Sequence, residues 1–169
     1  MYLKGKRAYL GGAIEHGDPG HNWRTEPVRI LQEEFGIDLF DPFADPKQQW
    51  VPALNKARDE DDEDTMERIA KNFVRKDMEM VDRSDFLVSY LPYKVPTTGT
   101  HHEIIDASKR RKPTLLVCTQ GKKFLPLWYR GFIKREFLFG SWDDLWGYLR
   151  KVDMGHVTES RWDFVCGRL

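Results

Sequence analysis

The chain predicts a single α/β domain, a doubly wound parallel sheet sandwiched by helices, and three observations carry the prediction. Short apolar runs recur along its 169 residues, at 8–14, 37–40, 85–91 and 114–118. Stretches long enough for crossover helices lie between them. Loops after the early runs are punctuated by glycine or proline. Strands alternating with helices pair in parallel through right-handed crossovers. At about 100–200 residues per domain, residues 1–169 read as one unit, with no internal repeat or low-complexity linker.

The first strand is Ala8-Tyr9-Leu10-Gly11-Gly12-Ala13-Ile14, whose two glycines mark the entry to a tight turn. A polar loop follows through His16, Gly17, Asp18, Pro19, Gly20 and His21. Thr25 is then placed to cap a helix carrying Val28, Ile30, Leu31 and Phe35, ended by Gly36. Ile37 to Asp41 supplies a second strand, stopped by Pro42. Asp59 to Asp64 is an unbroken run of acids without an apolar face, expected as a solvated insertion rather than a cation site, because no glycine-punctuated loop frames it.

Met66, Ile69, Phe73, Met80 and Val81 mark a helix from about Thr65 to Arg83, with one acid, Asp77, on its inward face. Asp85 to Leu91 is the clearest strand. After a loop from Pro92 to Gly99, a helix from Thr100 to Arg111 ends in Lys109-Arg110-Arg111-Lys112, cations that suit the negative end of a helix dipole. Thr114 to Cys118 gives a fourth strand, Arg135 to Phe139 a fifth, and Trp142 to Val152 an amphipathic helix. Residues 153–169 form an aromatic tail.

Composition narrows the function. Twenty-seven basic and 27 acidic residues cancel, so no whole-protein field gathers a nucleic acid polymer. No apolar run reaches the roughly 18–20 residues of a membrane span, and the first residues lack a signal-peptide core, so a cytoplasmic protein is expected. Cys118 and Cys166 show no C-x-x-C spacing. His101 and His102 are neighbours that point about 100° apart on a helix, and no third ligand stands at a recognised spacing, so no metal is expected. Neither G-x-G-x-x-G nor a P-loop is present, which argues against a dehydrogenase or a Walker-type kinase. No cofactor is expected.

Sandwiches of this kind bind ligands outside the carboxyl ends of their strands. There, Thr97-Thr98-Gly99-Thr100-His101-His102-Glu103 runs from a strand-end loop into a helix, where free amides and hydroxyls suit an anion or sugar oxygens. Glu103 faces the strand ends if Ile104 and Ala107 face the core. The plainer alternative is a first-turn acid complementing the dipole. Asp77, Tyr9, Gly11 and Gly12 converge on the same crevice in such a sheet. Two carboxylates and a tyrosine form a kit for breaking a glycosidic bond: one acid attacks the anomeric carbon while another group protonates the leaving base.

In order and spacing, three segments resemble the nucleoside 2-deoxyribosyltransferase superfamily, which also contains nucleotide N-glycosidases. They are Tyr9 to Ile14 with Trp23-Arg24, Asp77 eight residues before Asp85, and Gly99-Thr100-His101-His102-Glu103. The resemblance spans most of the chain and implies a flavodoxin-like fold. It implies Glu103 as the nucleophile of a covalent glycosyl-enzyme, Asp77 as the acid that protonates the leaving base, and Tyr9 as the group holding Glu103. Gly11 and Gly12 would leave room for the ligand, and Asp85 would be structural. Homo-oligomers are implied as well.

One departure bears on substrate choice. Relatives acting on free nucleosides place an acid six residues before the nucleophile, to grip the sugar 5′-hydroxyl, whereas this chain has Thr97 there. Thr97, Thr98 and the amides near Thr100 would donate to a 5′-phosphate, with Arg24 a candidate phosphate partner and His101 a candidate ligand contact. A nucleoside 5′-monophosphate is the favoured substrate, and hydrolysis and base exchange stay open. The tail Arg161-Trp162-Asp163-Phe164 is read either as packing or as cover for a neighbouring subunit's pocket. Two rival readings are a non-catalytic nucleotide-binding or signalling module of the same fold and an NAD-type glycohydrolase.

Overall fold

Five strands, β1 (Arg7–Gly12), β2 (Asp38–Phe40), β3 (Phe86–Tyr90), β4 (Thr114–Val117) and β5 (Leu138–Phe139), form one all-parallel sheet in the order β2-β1-β3-β4-β5. This is the flavodoxin-like order of a doubly wound sheet. The computed structural model describes residues 1–14 and 21–168, so most of the polar loop expected from His16 to His21 lies outside the described residues. The strand order reverses between β1 and β3, so the crevice that such sheets offer to ligands opens at the carboxyl ends of these two strands.

Register decides what faces that crevice. Tyr9 pairs with Leu87 and Gly11 with Ser89 across β1 and β3. Because side chains alternate faces, Tyr9, Gly11, Leu87 and Ser89 point to one side of the sheet. There Tyr9 and Leu87 join Val81 of α3 (Glu63–Arg83) and Ala107 of α4 (Thr98–Lys109) in a small apolar cluster. Ala8, Leu10, Phe86 and Val88 enter the larger core with Ile30, Leu31 and residues of α5 (Trp142–Asp153), Leu145 and Leu149 among them.

Several local expectations change. Thr25 does not cap the first helix, because α1 begins at His21 and runs to Arg29, carrying Thr25 and Pro27 inside it before a π-helical turn over Ile30–Glu34. Helical geometry at Trp23 and Arg24 brings their side chains back over β1, and that packing outweighs the capping preference. A helix over Val51–Asp59, α2, was not legible, since Ala57 is its one buried residue and no apolar stripe marks it. The acidic run is the connection between two helices: Asp59 ends α2, and the side chain of Asp62 accepts from the amide of Thr65 as the N-cap of α3. Glu63 and Asp64 then complement the positive end of that helix. The fifth strand is shorter than expected, as Arg135–Phe137 forms a 3₁₀ turn.

In the tail, α6 (Arg161–Val165) packs within its own chain. Trp162 is fully buried, its ring 5.3 Å from that of Phe86 and its indole N–H donating to the Tyr148 hydroxyl at 2.9 Å. Trp162 is therefore core and not a cover for another subunit, while Phe164 stays exposed. Among the described residues, no helix is long and apolar enough to cross a membrane.

The cations after α4 divide in role. Lys112 Nζ donates to the carbonyls of Val81, Asp82 and Ser84 at 2.6, 2.7 and 2.7 Å, and so closes the carboxyl end of α3, a different helix from the one the sequence suggested. Replacing Lys112 by Met leaves these carbonyls without their charged donor. It is expected to cost about 1–3 kcal/mol, a drop of several degrees in Tm, while Lys109→Met leaves the thermal melt unchanged.

Candidate active site

Glu103 lies on the second turn of α4, which starts two residues earlier than expected, and its neighbour Ile104 and the turn-mate Ala107 are buried. This fixes the Glu103 side chain toward the sheet face that carries Tyr9, Gly11 and Ser89. The Tyr9 hydroxyl donates to Glu103 Oε1 at 2.6 Å. The second carboxylate oxygen, Oε2, has no hydrogen-bond partner among the described residues. A Cβ built on Gly11 would stand 3.0 Å from Oε2, 3.1 Å from Ser89 Oγ and 3.3 Å from the Tyr9 ring. The missing side chain of Gly11 is thus what admits the carboxylate.

Gly12 serves a different neighbour, because a Cβ there would fall 2.4 Å from the Trp23 ring. Both glycines are approached by the protein's own groups, Gly11 by Glu103, Ser89 and Tyr9 and Gly12 by Trp23. Trp23 stacks on Trp142, with centroids 5.9 Å apart, and Trp142 on Trp146 at 5.4 Å, forming an aromatic column beside the site.

Arg24 is buried with its guanidinium 4.1 Å over Trp23. Its Nε donates to Asp41 Oδ1 at 3.1 Å and Nη1 to the Ala13 carbonyl at 3.3 Å, while Nη2 is unpartnered. Among the described residues, four buried side-chain polar atoms lack a hydrogen-bond partner, and Glu103 Oε2, Ser89 Oγ and Arg24 Nη2 are three of them. Each such atom costs about 1–3 kcal/mol, so a cluster at the carboxyl ends of β1 and β3 marks a place built to meet a polar ligand. Ser89 and Asp41 were missed in the sequence. The available signals were a lone hydroxyl residue inside an apolar strand and an acid at the end of another.

Lys47, also missed, sits on the 3₁₀ turn Pro46–Trp50, which Asp45 caps. Its side chain is buried, and its ammonium contacts the carboxylate of Asp77 on α3. Asp77 thus reaches the site through Lys47. Burial pulls the Lys47 ammonium below its ordinary pKa, opposed by Asp45, Glu103 and Asp41. Burial likewise pushes Glu103 up, against the Tyr9 hydrogen bond and the charges of Lys47, Arg24 and His102. Tyr9 is held well above its usual range by burial and by the Glu103 charge, so it remains a donor.

The loop residues separate. Thr97 and Thr100 are buried, whereas Thr98 and Gly99 are exposed and a Cβ on Gly99 would meet open space. Thr97 is the N-cap position of α4 but offers its first amides no side-chain acceptor. Both ring nitrogens of His101 are engaged, Nε2 with Thr97 Oγ1 at 3.2 Å and Nδ1 with the Tyr129 hydroxyl. His101 therefore braces the helix start, and His102 is exposed.

Asp85 stands at the opposite end of the sheet, accepting from the Arg7 amide at 2.8 Å and from its guanidinium at 2.9 Å. A cavity of about 520 Å³ opens at that end, lined by Arg7, Asp85, Arg110 and Lys112 among others, but these four charges are already engaged within the protein. Among the described residues, no three His, Cys, Asp or Glu side chains gather as a metal would need.

A flavodoxin-like sandwich with a buried, half-paired carboxylate at its switch point defines a protein that handles a small polar ligand at the carboxyl ends of its strands. The family model for nucleoside 2-deoxyribosyltransferase matches residues 8–161, and the chain belongs to that family of glycosyl transferases acting on small nucleoside substrates. Among solved structures, it resembles a 2-deoxyribosyltransferase from Bacillus psychrosaccharolyticus at 16% identity and a TM-score of 0.55, over 82% of this chain and 89% of that one. It also resembles a 2-desoxiribosyltransferase from Leishmania mexicana at 18% identity and a TM-score of 0.54, over 90% of this chain and 99% of that one. No curated protein sequence gives a significant match.

A carboxyl whose pKa is raised by folding destabilises the native state when ionised. Its cost is absent below the unfolded value of about 4.3 and grows as pH rises through the higher folded value. Glu103→Gln is therefore expected to raise Tm at pH 7, by about 2–4 °C for each kcal/mol relieved. The gain should vanish when the melt is repeated at or below about pH 4.

Proposed function

We propose that the protein cleaves the N-glycosidic bond of a (deoxy)nucleoside 5′-monophosphate, or of the corresponding nucleoside, with Glu103 as nucleophile. The observation that carries this reading is the unpartnered Oε2 of a buried carboxylate whose other oxygen is held by Tyr9. Oε2 attacks the anomeric carbon as the sugar–base bond breaks, and the bonding pair leaves with the base. Asp77 delivers the proton that makes the base a competent leaving group. Tyr9 orients the carboxylate, and Arg24 and Ser89 supply donors for oxygens of the substrate. Water then releases the sugar, or a second base takes it by exchange, each displacing Glu103 from the same ester.

The 5′-phosphate is supported by the start of α4, where Thr97 replaces the acid of the nucleoside-specific relatives. The first amides of the helix carry no side-chain cap, and anions are favoured at such an end. Gly99 brings open space to that spot, and Thr98 stands exposed beside it.

The test is to incubate the protein with a panel of nucleosides and 5′-monophosphates, with and without an acceptor base, and to resolve the bases by chromatography. Base release is expected to be faster from the monophosphates, and Glu103→Ala is expected to lower it by on the order of 10³-fold or more. Unchanged release in that variant refutes the mechanism.

The two glycines near the site make a second pair of variants. Gly11→Ala pushes the carboxylate off its position and is expected to lower kcat/KM by on the order of 10²-fold. Gly99→Ala meets no protein atom but fills space left for the phosphate, and is expected to raise KM for the monophosphates while leaving turnover of the nucleosides unchanged.

A further inference from the structure

We infer that Lys47 holds the proton that Asp77 passes to the departing base, an inference that rests on the glycosidic reading above. The Lys47 side chain is 1% exposed and its Nζ touches Asp77 Oδ1, while the Asp77 side chain keeps 22% of its surface open. The buried ammonium therefore lies behind the acid, and the acid faces outward.

An ammonium taken out of water survives only when it is paired. Here Asp77 from α3, Asp45 and Asp41 from the segment leading to the 3₁₀ turn, and Glu103 from α4 surround it with negative charge, opposed by Lys76. The Phe73 ring lies 5.7 Å from Nζ and shuts off one side.

The arrangement answers a chemical requirement. A carboxylate engaged in an ion pair with an ammonium carries no proton of its own to give a base. A buried ammonium in contact with it can replace that proton at the moment of need, because burial makes the neutral amine the easier state for Lys47 to reach. As the Glu103 Oε2–carbon bond forms and the carbon–nitrogen bond breaks, the bonding pair goes to the base nitrogen. That nitrogen takes a proton from Asp77, and Asp77 takes one from Lys47, leaving a neutral amine. In the second half, the attacking water or incoming base loses a proton through Asp77 to Lys47, and Glu103 departs as a carboxylate. Every group ends as it began. Lys47 acts through Asp77 and is a positioning residue.

The experiment compares two leaving groups for whichever base the native protein releases. One substrate is the parent nucleotide. The other carries a base that needs no proton to depart, an N7-methylpurine or a 5-nitropyrimidine. Lys47→Arg keeps the charge but gives up no proton, and Lys47→Gln, read in the same way, serves if the bulkier arginine disturbs folding.

If the inference holds, kcat for the activated substrate relative to the parent rises on the order of 10²-fold in the variant compared with the native protein, the scale of general acid catalysis. An equal loss on both substrates, or no loss on the parent, overturns the inference and leaves the role of Glu103 standing. Release of no base from either substrate by the native protein overturns the glycosidic reading and this inference with it.

Discussion

A carboxylate kept out of water is the constraint around which this protein is arranged. Glu103 could have been an exposed first-turn acid, and its neighbours show why it is not. Gly11 withholds a side chain, Tyr9 spends its hydroxyl on one oxygen, and the buried charges of Arg24 and Lys47 act on the carboxylate through space. Removing water from around a charge is expensive unless partners replace it. Here they replace it on one side only, and among the described residues Oε2 is left without a hydrogen-bond partner.

The sheet supplies the geometry without any special device. Two-residue alternation on β1 puts Tyr9 and Gly11 on one face, and the parallel register sets Ser89 directly opposite Gly11. Gly12 is turned to the other face, where Trp23 closes over it and carries the Arg24 guanidinium on its ring. A few adjacent residues of one strand thus organise both walls of the crevice. The charged clasp between Arg7 and Asp85 lies at the far end, where it ties β1 to β3 without touching the chemistry.

Much of this was legible in the sequence, for physical reasons that differ by residue. The strands showed as apolar runs because both faces of a parallel sheet are buried. Position on a strand or helix start dictates where a side chain points, which is why Glu103 and Tyr9 were expected to share a crevice, and the structure joins them by a hydrogen bond. What escaped depended on contacts distant in the chain. Lys47 stands in a short turn with no periodicity, and only the packing of that turn against α3 brings it to Asp77. His101 was expected to meet a ligand, but its ring is held by Tyr129, a residue 28 positions away whose approach no local pattern announces. The start of α1 was misplaced for a similar reason, since the pull on Trp23 comes from Gly12 and Trp142.

The column of Trp23, Trp142 and Trp146 has a use for the experimenter. Its first ring lies under the Arg24 guanidinium, whose Nη2 has no hydrogen-bond partner among the described residues. Indole emission shifts with the electric field across the ring, so an anion settling on that guanidinium changes the colour and yield of the protein's own light. Occupancy of the crevice can then be followed in real time, without a label and without waiting for turnover.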